Sequence, residues 1–203
     1  ESLEAVTLVD IDPAMTNLSR NMRLLYELND ASLDDPRVEV INQDAMRWLE
    51  KTERTFDLVI IDFPDPSTFS VGKLYTTFFF SMLRKSLTAD AVMSIQCTSP
   101  LVAKQSYWCI ISTLEAAGYS VLPYCVAVPT FGVWGFALAS VEKPLSEKVE
   151  LGNVVQELRF LNQEMLENMF ELPGDIQRVD SEPNQLNNQI LVRYYDQEWS
   201  GRE

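Results

Sequence analysis

The chain has 203 residues, 46% hydrophobic and 23% charged, which suits one globular domain with a substantial core and excludes a disordered segment. Thirty Asp and Glu against sixteen Lys and Arg give a formal net charge of −14, which serves solubility, disfavours phosphate backbones and raises the local concentration of cationic ligands. Histidine is absent, so Ser-His and Cys-His catalysis and imidazole zinc sites are excluded, and proton transfer falls to carboxylates, Tyr, Lys or Cys.

Residues 6–11 predict a short strand ending in acids. Asp12-Pro13 reads as an N-cap followed by Pro at the first helical position. Met15, Leu18, Met22, Leu25 and Leu28 then continue near helical spacing. A polar loop over 29–36 leads to a strand over 38–41 and a short helix over 45–51. The apolar run 56–61 predicts a strand buried on both faces, followed by a Pro-rich loop. A helix over 75–87, a strand over 91–96 and a helix over 103–117 follow, the last closed by Gly118 as its C′ residue. The apolar stretch 119–141 is interrupted by Pro123, Pro129, Gly132 and Gly135, so it predicts a β-hairpin centred on 129–132 rather than a membrane span. Residues 155–170 have an amphipathic helical pattern. The tail 172–203 is polar until an apolar cluster at Ile190, Leu191, Val192, Tyr194, Tyr195 and Trp199, which is expected to pack on the domain or on a partner subunit, the latter making a homodimer. Cys97, Cys109 and Cys125 have no CxxC spacing and read as reduced core thiols.

Alternating strands and helices predict an α/β fold with a mainly parallel sheet and an antiparallel strand or two at its end. Residues 1–142 are expected to form the α/β domain and 143–203 an appended helix and tail.

In open α/β sheets ligands bind beyond the carboxyl ends of the strands. Three such ends carry acids here: Asp10-Ile11-Asp12, Gln43-Asp44-Ala45, and Asp62 with Asp65 three residues on. They are expected to converge on one crevice. An acid at the first strand end suits ribose hydroxyls, one at the next suits an adenine amino group, and the remaining carboxylates suit a cationic substrate. Structural roles compete at each: Asp12 and Asp44 as helix caps, Asp10 as a solvated strand end, Asp62 and Asp65 as turn formers.

These elements, with Asp62-Phe63-Pro64-Asp65-Pro66, Gly72-Lys73-Leu74-Tyr75, Gln96-Cys97-Thr98-Ser99-Pro100, the run from Val128 to Phe136 and the tail from Leu186 to Tyr195, resemble the polyamine aminopropyltransferases, or spermidine synthases. The resemblance is strongest to a bacterial branch with an N-terminal membrane-spanning region, and covers nearly the whole chain. It implies a Rossmann-like, methyltransferase-type fold and the catalytic domain of such a protein, without the family's Gly-rich first strand and loop. It also implies a cytoplasmic domain whose membrane attachment lies in that N-terminal region. The implied reaction transfers an aminopropyl group from decarboxylated S-adenosylmethionine to a diamine, putrescine by default, with no prosthetic group, metal or nucleic acid. Asp62 falls on the family's proton acceptor, Asp65 on the acid that holds the amine, Asp10 on the ribose-binding acid, and Asp44 with Ala45 on the adenine-site pair. Gln96 and Tyr75 match positions near the substrate. A methyltransferase using S-adenosylmethionine, or a non-catalytic polyamine- or nucleoside-binding domain, are the rival expectations.

Overall fold

The structure, a computed structural model, describes residues 3–146, 149–152, 158 and 160–200. The chain divides into two compact units, Glu1–Glu53 and Arg54–Glu203. The boundary expected at 142/143, between the α/β domain and its appended helix and tail, falls within the second unit.

In the first unit, β1 (Val6–Asp10) is followed by α1 (Pro13–Asn21), α2 (Arg23–Leu28), a 3-10 turn at Ser32–Asp34, β2 (Val38–Asn42) and α3 (Ala45–Leu49). Asp12 caps α1 as the Asp-Pro pair predicts, its carboxylate accepting from the Ala14 N–H at 2.8 Å. The single helix expected through Leu28 is two, because Met22 adopts an extended backbone (φ −82°, ψ 115°) between α1 and α2. β1 and β2 pair in parallel from Val6↔Val38 to Asp10↔Asn42, so both strands end side by side. Buried Thr16 ties α1 to that end, its hydroxyl accepting from Asn42 Nδ2 at 3.1 Å.

The second unit contains β3 (Phe56–Ile61), α4 (Phe69–Gly72), a 3-10 turn at Lys73–Tyr75, α5 (Thr77–Arg84), β4 (Leu87–Gln96) and α6 (Lys104–Ala116). The hairpin β5 (Ser120–Val128) and β6 (Gly132–Ser140) follows, then α7 (Gln163–Asn168) and α8 (Ile190–Ser200). The sheet order is β3-β4-β6-β5, with β3 parallel to β4 and both pairings of β6 antiparallel. The expected Rossmann-like α/β fold with a C-terminal antiparallel hairpin is therefore present. Pro123 is accommodated because β5 is an edge strand, where a missing N–H costs no ladder bond.

Three further expectations change. β3 is not covered on both faces: among the described residues it pairs with β4 alone, and Leu58 and Ile60 are 59% and 74% exposed. The helix expected over 75–87 is shorter, because the Thr76 hydroxyl caps α5 by accepting from Phe79 N at 3.2 Å, and Leu87 already belongs to the ten-residue β4. The helix expected over 155–170 is found at Gln163–Asn168, while residues 155–157 and 159 lie outside the described residues.

The core lies between the sheet and its helices. Ala91, Met93 and Ile95 alternate along β4 and are fully buried, as are Ile110, Ile111 and Leu114 of α6. α6 is covered nearly all round because the tail crosses its outer side. Trp108 Nε1 donates to the Ile176 carbonyl at 3.0 Å and Cys109 Sγ to the Glu182 carbonyl at 3.1 Å. Gly118 ends α6 with φ +87°, as its C′ position requires. Among the described residues no helix is long and apolar enough to cross a membrane.

Candidate active site

Two groups of acids occupy strand ends, one in each unit. In the first unit the parallel register sets Asp10 opposite Asn42, and the Gln43 N–H donates to the Asp10 carbonyl at 3.0 Å. That bond carries Asp44 and Ala45 past the end of β1. Asp10 is half-buried, and its Oδ1 accepts from the Asp12 N–H at 2.7 Å, which turns the chain sharply into α1. Asp44 caps α3 by accepting from Arg47 N at 3.2 Å, and Ala45 is the first helical residue. The capping expected of Asp12 and Asp44 is thus real, and it places Asp10, Asp44 and Ala45 at neighbouring strand ends. Beside Asp10 a cavity of about 240 Å³ is lined by Leu8, Met15, Thr16 and Ser19, among others. That is smaller than the roughly 300–1,000 Å³ of small-molecule pockets.

In the second unit β3 ends at Ile61 and the Pro-rich loop begins with Asp62. Its placement starts from aromatic packing. The Phe63 ring meets Tyr75 and Phe79 edge-on, with centroids 5.9 and 5.6 Å away. Tyr75 is fully buried, and its hydroxyl lies within donating distance of the Phe63 and Pro64 carbonyls, at 3.1 and 3.3 Å. Burial pushes its phenol well above the usual range, with Cys97, Asp65 and Asp62 adding to the shift, so it remains a donor. Tyr75, expected beside the substrate, thus bonds the backbone of the loop between Asp62 and Asp65.

The two loop acids differ in their surroundings. Asp62 is exposed and makes no hydrogen bond among the described residues. Asp65 is half-buried and held by three donors: Gln96 Nε2 to Oδ1 at 3.2 Å, Thr98 Oγ1 to Oδ2 at 3.2 Å, and the Tyr195 hydroxyl to Oδ2 at 2.8 Å. Gln96, at the end of β4, also donates to the Phe63 carbonyl at 3.1 Å, and its Oε1 accepts from Thr98 N. Thr98 sits at φ +64°, uncommon for a β-branched residue. Its carbonyl accepts from Gly135 N at 2.7 Å, an approach that β6 permits because Gly135 has no Cβ. A Cβ there would lie 2.8 Å from that carbonyl and 2.4 Å from the Tyr107 ring.

The structure joins Gln96 and Tyr75, which the resemblance sets near the substrate, to the loop that carries Asp62 and Asp65. Nothing in the sequence marks Thr98 and Tyr195 as Asp65 partners. Thr98 lay two residues beyond Gln96 in a run already singled out. Tyr195 is 130 residues from Asp65, and no local pattern connects them.

Residues 1–150 match the spermine/spermidine synthase domain. The chain is 49% identical over 200 residues to a polyamine aminopropyltransferase of Leptospira interrogans, covering 98% of this chain and 39% of that protein. It is 44% identical over 204 residues to polyamine aminopropyltransferase 2 of Ralstonia nicotianae, again 98% of this chain and 39% of the relative. The chain thus spans about two fifths of these relatives. A spermidine synthase solved in complex with the transition-state analogue AdoDATO superposes with a TM-score of 0.73 at 24% identity, over 87% of this chain and 62% of that one. A spermidine synthase from Thermotoga maritima gives 0.68 at 24% identity, over 85% and 60%. At these identities the structural likeness speaks for the fold.

Proposed function

The chain belongs to the spermine/spermidine synthase domain family, and on that premise we propose that it is the catalytic part of a polyamine aminopropyltransferase. The reaction moves the aminopropyl group of decarboxylated S-adenosylmethionine to a diamine, with putrescine as the default acceptor. The diamine nitrogen is an ammonium at neutral pH and has no lone pair until it loses a proton. Once neutral, it attacks the carbon next to the sulfonium. The new C–N bond forms as the C–S bond breaks, and the bonding pair returns to sulfur in methylthioadenosine. Spermidine is the other product.

One observation carries this proposal: two carboxylates in one loop with opposite surroundings. Asp62, exposed and without a hydrogen-bond donor among the described residues, has lone pairs open to accept the substrate's proton. Asp65, fixed by Gln96, Thr98 and Tyr195, is suited to hold a cationic amine in place. Gln96 and Tyr75 fix the backbone between them. Asp10 is assigned to the ribose hydroxyls, and Asp44 with Ala45 to the adenine. No prosthetic group or metal is part of this chemistry. Dimerisation rests on the apolar cluster of the tail, and a cytoplasmic location and membrane attachment rest on the motif resemblance.

The test is Asp62→Asn in the natural full-length protein. Turnover falls about 10²-fold or more while methylthioadenosine still raises the melting temperature. Normal turnover by the variant would refute Asp62 as the base. In wild-type protein, stabilisation by methylthioadenosine and putrescine supports the proposed function. Stabilisation by S-adenosylhomocysteine alone would indicate a methyltransferase, and polyamine binding without nucleoside binding a non-catalytic domain.

A further inference from the structure

The C-terminal segment is bonded into the acid loop at several points. Asn184 is fully buried, and its Nδ2 donates to the Gly72 and Tyr75 carbonyls at 3.0 and 3.1 Å, across the turn that presents the Tyr75 hydroxyl to the loop. Its Oδ1 accepts from the Leu191 N–H at 3.3 Å at the start of α8, and Leu191 itself is fully buried. Farther along α8 the Glu198 carboxylate accepts from the Gln105 and Ser106 N–H groups at 2.6 and 3.0 Å, and from the Ser106 hydroxyl at 2.6 Å. An anion there satisfies the open donors at the start of α6 and complements its dipole. Between these two attachments lies Tyr195, whose ring packs on Trp199 and whose hydroxyl donates to Asp65 Oδ2.

We propose that Tyr195 is a positioning residue for amine recognition: its hydroxyl, carried by α8, fixes the Asp65 carboxylate in the rotamer that binds the substrate ammonium. The inference rests on the proposed aminopropyl transfer and adds to it a residue from the far end of the chain. The geometry gives the hydroxyl a defined task. Tyr195 and Thr98 both bond Oδ2, while Oδ1 receives Gln96. A carboxylate accepts about four hydrogen bonds, so one site remains for an ammonium in a direction set by the three donors. Removing the shortest of the three lets the side chain rotate and blurs that direction. Tyr195 touches Asp65 rather than the reacting atoms, so its loss should fall on amine binding first.

The experiment is steady-state kinetics of full-length Tyr195→Phe, with Tyr194→Phe as control, since the Tyr194 hydroxyl makes no hydrogen bond among the described residues. Phe keeps the ring against Trp199. KM for the diamine rises about tenfold or more, kcat falls less, KM for decarboxylated S-adenosylmethionine is unchanged, and the melting temperature stays close to wild type. Tyr194→Phe behaves as wild type. In an Asp65→Asn background, Tyr195→Phe adds little further loss, because the two act through one contact. An unchanged diamine KM in Tyr195→Phe, or full additivity with Asp65→Asn, overturns the Tyr195 assignment alone. A wild-type enzyme that does not turn over any diamine overturns the proposed function, and the Tyr195 assignment with it.

Discussion

Gly135 shows how one missing carbon shapes the acid loop. Gly135 on β6 makes two backbone bonds to the Cys97–Thr98 pair, Gly135 N to the Thr98 carbonyl at 2.7 Å and Cys97 N to the Gly135 carbonyl at 2.9 Å. Those bonds hold Thr98 at its left-handed φ and so aim its hydroxyl at Asp65. Gly135→Ala brings a methyl group to 2.4 Å from the Tyr107 ring, and Tyr107 is fully buried with its hydroxyl near the Tyr124 and Phe136 carbonyls. The ring has nowhere to move without opening the core, so β6 must shift. Overpacking of this kind costs about 1–3 kcal/mol. Urea denaturation of Gly135→Ala should show that loss, together with a raised diamine KM because Thr98 moves with β6. A variant of wild-type stability and KM would show that the hairpin is not coupled to the acid loop.

At the scale of elements, α8 was the hardest to foresee. The sequence marks Asp12-Pro13 as a helix start and Gly118 as a helix end, because both depend on neighbouring residues and on backbone chemistry that is the same in any protein. The strand ends bearing Asp10, Asp44 and Asp62 were legible for a related reason, since strand runs and their polar stops are local. The break at Met22 was not, because no Pro or Gly marks it. Nor was the role of α8: its apolar cluster was visible, but what it packs on is decided by contacts about 90–130 residues away, such as Glu198 with Ser106 and Tyr195 with Asp65. The coverage of β3 was overestimated for the same reason, as an apolar run does not say how many neighbours it will have. Glu198→Ala tests the attachment of α8. It leaves the first N–H groups of α6 without an acceptor and removes a favourable charge from the helix start, at a cost of about 1–3 kcal/mol. Thermal denaturation should fall accordingly, and diamine KM should rise because Tyr195 rides on the same helix. Gln197→Ala, at an exposed neighbouring position, should do neither. If both variants match wild type, α8 is not anchored through Glu198.

For the molecule as a whole, acidity and the titration of its buried groups act together at alkaline pH. Burial pushes up the thiols of Cys97, Cys109 and Cys125, with Cys109 reaching about 12. It also pushes up the phenols of Tyr75, Tyr107, Tyr119, Tyr124 and Tyr195. In the unfolded chain the thiols ionise near pH 8.5 and the phenols near pH 10. Above about pH 8.5 the unfolded state therefore binds fewer protons than the folded state. Stability then falls as pH rises, by up to about 1.4 kcal/mol per pH unit for each deeply buried group, such as Cys97, Cys109, Tyr75 or Tyr107, that has ionised only in the unfolded chain, and by less for the half-exposed Cys125 and Tyr195, which solvent screens. The net charge of −14 becomes more negative over the same range, and self-repulsion adds to the loss. The melting temperature should be nearly level from pH 7 to 8 and decline steadily from about pH 8.5 to 10.5. Cys109→Ala should flatten the first part of that decline, between the unfolded thiol value and the onset of phenol ionisation. Because only the thiolate reacts, Cys97 and Cys109 should also resist alkylation until the protein unfolds. A melting temperature that stays constant to pH 10, or a Cys109 thiol that alkylates rapidly in the folded protein at pH 8, would show that these groups are not held protonated in the core.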